Sequence, residues 1–164
     1  MYIEFHRNNI EPEWQDLVEE YPEIFLEPSE YVLDLYNTHY ANNDDENLPK
    51  SLDEVSNLRY SFECSIGWKE IIRDFCKKIR ALVEYAKSEG HEIVYKTCIL
   101  KEKFGSISDQ GDFYGEDARL YYADYRKISN ELEDASGKTC ELCGKPGGVV
   151  SNKGWYKCRC ASCK

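Results

Sequence analysis

Apolar residues recur along much of the chain at helical spacing. The clearest run extends from Gly67 to Ser88. There Trp68, Ile71, Ile72, Phe75, Cys76, Ile79, Leu82, Val83 and Ala86 follow the i, i+3, i+4, i+7 pattern. This predicts a long amphipathic helix capped by Gly90, with Cys76 packed as an apolar member of the stripe. A second helix is predicted from about Glu116 to Ser136. Ala118, Tyr121, Tyr125, Ile128 and Leu132 share its inner face, and Gly137 ends it. Near the N-terminus, Pro12 suits a first turn. Trp14, Leu17, Val18 and Tyr21 follow at helical spacing until Pro22 stops the run. Another short helix is expected over about Ser29 to Tyr40, and Ser51 to Glu54 reads as a capping box.

Between these runs the pattern turns extended. Short strands are predicted at Tyr2 to His6, at Tyr60 to Cys64 and, from its β-branched content, at His91 to Leu100. Lys101-Glu102-Lys103-Phe104-Gly105 ends the last of these in a turn, and Ser106 to Ser108 returns as the second arm of a hairpin. In that turn Phe104 is expected in the core and Gly105 in a turn conformation. The competing reading makes the segment a binding loop, with Lys101 and Lys103 on one side of the strand. Gly111 and Gly115 mark a further loop, and Ala41 to Lys50 an acidic one. The predicted fold class is α+β, mainly helical with a small hairpin or sheet, plus a C-terminal four-cysteine zinc ribbon. Residues 1–136 form the acidic α+β domain, divided into a strongly acidic part (1–57) and a helix-hairpin-helix part (58–136). Residues 137–164 form the ribbon module.

Charge sharpens this division. The 164 residues carry a net charge of −10. Residues 1–57 hold 15 acidic residues against Arg7 and Lys50 alone, a net of −13. Residues 137–164 reverse the sign, with six basic residues against Glu141. Such asymmetry suggests different partners for the two ends. The overall acidity excludes a protein that wraps nucleic acid with its whole surface. No apolar run reaches the roughly 18 residues that would suggest a membrane span. The start of the chain carries no basic-then-apolar leader pattern, so the expected compartment is the cytoplasm.

Five of the eight cysteines fall in the last 25 residues. Cys140 and Cys143, then Cys160 and Cys163, form C-x2-C-x16-C-x2-C, inside the spacing range of structural zinc sites. A C-x-x-C turn aims two sulfurs at one point, and Gly144 frees the backbone for a tight knuckle. Two knuckles on adjacent hairpins would supply four thiolates to one structural Zn2+ and leave no position for water. Cys158 can be drawn with Cys160 or with Cys163 instead, but the C-x-x-C geometry favours the pair Cys160 and Cys163. A redox or disulfide cluster is the competing use of these thiols. Lys145, Lys153, Lys157 and Arg159 surround the site. They suit phosphate contacts, and they equally suit compensation of the negative zinc–thiolate centre.

Three segments, KEKFG (Lys101 to Gly105), TCELCGKPG (Thr139 to Gly147) and GWYKCRCASC (Gly154 to Cys163), resemble a family of small, largely uncharacterised bacterial and phage proteins. Its pattern reads IKEKFG-x-LR-x-Y, a helix, CE-x-CG-x-x-G, then GWYK-x-x-C-x-x-H. The likeness spans roughly residues 64–164, with Gly67-Trp68 also fitting, and omits the acidic N-terminus. It implies that Cys140, Cys143, Cys160 and Cys163 are ligands, with Cys163 where the pattern often has His, and that Cys158 is not one. Ile107-Ser108 replaces its Leu-Arg.

No P-loop, G-x-S-x-G or H-E-x-x-H motif occurs, and His6, His39 and His91 are dispersed, so the expected protein is not an enzyme. The leading expectation is an acidic inhibitor or immunity-type protein that docks on a basic partner such as a nuclease toxin. Glu19, Glu20, Glu23, Glu27, Asp44, Asp45 and Glu46 would supply its surface, interleaved with aromatic anchors. The alternative is a zinc-ribbon nucleic-acid-binding or regulatory adaptor, with Lys145, Lys153, Lys157 and Arg159 as contacts.

Overall fold

A computed structural model describes residues 10–25, 61–97 and 99–164, with Ser61 and Asn152 as backbone only. The strand predicted at 2–6, the helix at 29–40, the loop at 41–50, the capping box at 51–54 and Cys98 lie outside the described residues. The fold is α+β, mainly helical, with three small sheets among the described residues and four clustered cysteines at the C-terminal end.

The long apolar stripe forms α3 (Lys69–Ser88), entered through a 3-10 turn at Ile66–Trp68. Trp68, Ile72, Phe75, Cys76, Ile79, Leu82 and Ala86 are buried along it, and Ile71 and Val83 pack at the margin. Gly90 at φ +83 ends it. The His91 N–H reaches the Ala86 carbonyl (3.0 Å) and the Gly90 N–H that of Lys87 (3.1 Å), which closes the last turn with a left-handed cap.

The N-terminal segment begins with a 3-10 turn at Pro12–Trp14, followed by α1 (Gln15–Glu20) and α2 (Pro22–Phe25). Pro22 breaks α1 as its missing N–H requires, and the same residue opens α2, where no N–H is needed. Trp14, Leu17, Val18 and Tyr21 are all buried. Trp14 stacks on Phe62 with ring centroids 4.1 Å apart, which fixes this segment against strand β1 (Ser61–Glu63).

The stretch His91 to Leu100 departs from the single strand its composition suggests. It divides into β2 (Val94–Lys96) and β3 (Ile99–Lys103), which belong to different sheets. β3 pairs in parallel with β1 and antiparallel with β4 (Ser106–Asp109), whereas β2 pairs antiparallel with β5 (Asp112–Tyr114). Asp109 explains the break. The residue is half-buried, and its carboxylate accepts hydrogen bonds from Thr97 between the two strands (3.2 Å), Tyr95 (2.7 Å), Tyr125 (2.9 Å) and the Gly111 N–H (2.9 Å). Four donors satisfy a charge that would otherwise be costly among Phe75, Phe113 and the two tyrosine rings. Burial still pushes this carboxyl above its ordinary value, against the downward pull of those donors.

A 3-10 turn at Ala118–Tyr121 leads into α4 (Tyr122–Ser136), which packs on α3 and β4. Ala118 and Tyr121 of the turn and Tyr125 and Leu132 of α4 are buried, with Ile128 beside them. At its end, the fully buried Ser136 hydroxyl accepts the Ile107 N–H (2.8 Å) and donates to the Glu133 carbonyl (2.9 Å). This seats the chain's exit from α4 directly beside β4, where the cysteine segment begins. That segment contributes the hairpin of β6 (Gly148–Asn152) and β7 (Trp155–Arg159). No helix among the described residues is long and apolar enough to cross a membrane.

Candidate metal centre

The sulfurs of Cys140, Cys143, Cys160 and Cys163 all lie within 4.8 Å of one another. The first knuckle is shaped by backbone bonds. The Cys140 N–H donates to the Lys145 carbonyl (2.8 Å), and the Gly144 N–H returns to the Cys140 carbonyl (2.9 Å). Gly144 adopts φ +71, a conformation that side chains disfavour, so a glycine directly after the second cysteine closes the turn without strain. A β-bridge between Thr139 and Pro146 holds its base. The second knuckle differs from the expected hairpin. It is a single 3-10 turn, Ala161–Cys163, at the end of β7, closed by Cys163 N–H to the Cys160 carbonyl (3.1 Å).

This donor set can hold a metal ion. A tetrahedron with sulfur bonds of about 2.3 Å has edges of about 3.8 Å, and Cys143 Sγ lies 3.6 Å from Cys160 Sγ. Burial pushes the Cys140 thiol up, but the backbone N–H groups of Cys160, Cys143 and Leu142 outweigh it and hold it down to about 6. A thiol held low by backbone donors is suited to ligating a metal as its thiolate. Cys160 also sits below its ordinary value: burial pushes it up, and the Cys143 and Cys163 thiols pull it further down. Hydrogen bonds with Cys160 and Cys143 push the Cys163 thiol the other way, up to about 12.

Cys158 stays outside the cluster. It is fully buried in the hydrophobic core, and its thiol donates to the Gly137 carbonyl (3.3 Å). Cys64 and Cys76 are packing residues as well. Burial pushes the Cys64 thiol up to about 12 and that of Cys76 well above the ordinary range, so neither is a ready nucleophile.

Two features hold the centre against the helical part, and the first is the Gly67-Trp68 pair that the resemblance also takes in. Gly67 donates its N–H to the Glu141 carbonyl (2.9 Å), and the Trp68 indole donates to the Thr139 carbonyl (2.6 Å). The approach is so close that a Cβ at Gly67 would meet the Cys140 and Glu141 carbonyl oxygens at 2.5 Å. The second is Glu141, the only acidic residue of 137–164, which is almost completely buried. Its Oε1 forms an ion pair with Arg159 Nη2 (2.9 Å) and faces Lys157 Nζ at 3.9 Å. Its Oε2 and Arg159 Nη1 have no hydrogen-bond partner among the described residues.

The basic residues therefore divide into two kinds. Arg159 is bound to Glu141, and Lys157 to Glu102 (2.8 Å), whereas Lys145 and Lys153 are exposed. The acidic candidates divide similarly. Glu20 pairs with Arg73 (2.8 Å) and Glu23 with Arg80 (2.7 Å), both on α3, while Glu19 is exposed with no ion pair among the described residues. Glu27, Asp44, Asp45 and Glu46 lie outside the described residues.

The KEKFG turn corrects one expectation. Gly105 takes the turn conformation at φ +86, but Phe104 is not in the core: it is 69% exposed, at φ +53. The core position is taken by Ile107, one turn later on β4. Phe104 instead meets Tyr156 of β7 edge to face, with centroids 6.1 Å apart.

No protein-family model, curated protein or solved structure matches the chain. What the fold and the site define is an α+β protein with a C-terminal four-cysteine centre able to hold a metal ion.

Proposed function

We propose that this is a non-catalytic, zinc-stabilised binding protein whose acidic N-terminal part docks on a basic partner, in the manner of an inhibitor or immunity-type protein facing a nuclease toxin. Zinc is the metal that four soft thiolates suit best. With four protein ligands its role is structural, anchoring the ribbon to α3 and the KEKFG turn. The resemblance to the bacterial and phage family supports the same ligand set.

The observation that carries the docking reading is the carboxylate excess of residues 1–57. Lys69, Arg73 and Arg80 of α3 engage Asp16, Glu20 and Glu23. These are three of the 15 acidic residues in 1–57, and the remainder still far outnumber Arg7 and Lys50. A field of that sign speeds encounter with a cationic protein and weakens with salt.

The test is retention of a basic protein from nuclease-treated lysate on the immobilised chain, eluted with salt. Glu19→Lys with Glu27→Lys leaves the Arg73 and Arg80 pairs in place. The pair of reversals is expected to abolish retention without changing the circular dichroism spectrum. Equal retention by the variant rejects the acidic docking surface.

A second reading, a ribbon that contacts nucleic acid, is favoured by one observation. The hairpin turn carries exposed Lys153 beside Trp155, a tryptophan that is 75% exposed.

A further inference from the structure

The turn of one hairpin packs against the side of another. The first, β3–β4, turns through Phe104 and Gly105, and the second, β6–β7, through Lys153 and Gly154. In both turns the two residues have positive φ, which suits the twist of a tight hairpin. In both, the first of the two is not glycine: Phe104 lies at φ +53 and Lys153 at φ +51. A bulky aromatic held in this region is strained. Phe104 is also left in water, so neither backbone preference nor burial accounts for it.

Around it the surface is aromatic and cationic. Tyr156 is 45% exposed against Phe104, and Val149, packed on Gly105, is 48% exposed. Strand alternation puts Trp155 on the opposite face of β7 from Tyr156, so the ribbon end offers ring surface on both sides. Lys103 Nζ lies 5.9 Å from the Phe104 ring centre, and Lys153 occupies the turn. Neither lysine has an ion pair among the described residues. The nearby carboxylates are already matched, Glu102 by Lys157 and Glu141 by Arg159. On a protein of net charge −10, this corner is locally positive and rich in aromatic faces.

We propose that Phe104 with Tyr156 on one face of the ribbon, and Trp155 on the other, stack on the bases of a single-stranded nucleic acid that passes over the β6–β7 hairpin, with Lys103 and Lys153 holding its phosphates. The proposal rests on the second reading above and assigns it a ligand class and a set of contacts, including the KEKFG turn. Unpaired bases present the flat faces that exposed rings take up, and the phosphates match the two free ammonium groups. A duplex would offer the phosphates but not the faces. A basic protein would meet the wrong charge.

The metal-loaded full chain should be titrated into labelled oligo(dT) of about 16 nucleotides and read by fluorescence anisotropy at low salt. Phe104→Ala and Trp155→Ala are each expected to weaken binding about tenfold, with unchanged circular dichroism and metal content. Lys103→Gln and Lys153→Gln are each expected to lower the salt slope by about 1. Trp14 and Trp68 are buried, so quenching of the intrinsic fluorescence reports Trp155, and Trp155→Phe should remove it.

Binding that survives both alanine substitutions overturns stacking on these rings but leaves nucleic-acid contact by the ribbon standing. No anisotropy change with any single-stranded probe overturns both. Equal affinity for a duplex of the same length assigns the surface to the phosphate backbone and overturns stacking. Labelled poly-glutamate binding as tightly, with the same dependence on Phe104 and Trp155, makes this an acidic-peptide site and overturns the proposal.

Discussion

Lys157 Nζ lies 2.8 Å from Glu102 Oε2, and the other oxygen of that carboxylate accepts the Gly105 N–H at 2.8 Å. One side chain thus ties the KEKFG turn to strand β7 of the ribbon. The pair is partly exposed, so water screens it, and its coupling should be about 0.5–1 kcal/mol. A double-mutant cycle of Glu102→Gln and Lys157→Met, read by urea denaturation, measures this. Additive effects would mean that the two groups do not interact.

Reduced, purified protein is expected to contain one zinc per chain by elemental analysis. Cys143→Ser should lose most of it, because the substitution removes one of the four clustered sulfurs. Cys158→Ala should keep the full stoichiometry and be destabilised by about 1–2 kcal/mol, since Cys158 serves the core rather than the cluster. Loss of zinc in Cys158→Ala would reverse that assignment.

Gly67→Ala is expected to cost about 2 kcal/mol or more, because its Cβ would meet two backbone oxygens at 2.5 Å and neither can move without opening the first knuckle. Thermal melting should show the loss, and competition with a chelator should show weaker metal retention. A substitution that changes neither would mean that the knuckle does not rest on α3 in solution.

Asp109 makes stability depend on pH. Burial raises its folded-state pKa above the ordinary value of 3.8, so the folded protein holds this proton more tightly than the unfolded chain does. Its contribution is fully present below that value and is lost as pH rises through the folded pKa. Asp109→Asn should remove this part of the pH–stability profile. Its carbonyl can still accept from Thr97 and Gly111, and its amide can face the tyrosine hydroxyls. Asp109→Ala removes the acceptor of Tyr95, Thr97 and the Gly111 N–H, while Tyr125 keeps the Gly111 carbonyl, and should cost about 2–3 kcal/mol at neutral pH. An Asn variant with an unchanged profile would place the titration elsewhere.

Much of this protein is written locally. The stripe from Trp68 to Ala86 needs only helical periodicity to become the buried face of α3, and Gly90 needs only its missing side chain to end it. The four metal-ligand candidates are legible because each knuckle is a four-residue turn, built by near neighbours. What required the tertiary structure depends on residues far apart in the chain. Asp109 takes donors from Tyr95, Thr97 and Tyr125, and so divides a stretch that reads as one strand. Glu141 is buried because Arg159 faces it and Gly67 admits its backbone. Phe104 reads as a core residue from its neighbours alone. It is exposed because the tight turn aims it outward while Ile107 fills the interior beneath. Periodicity and spacing report the hydrogen-bonding period and reach of one segment. Which charges meet, and which rings stay in water, is decided only when segments pack.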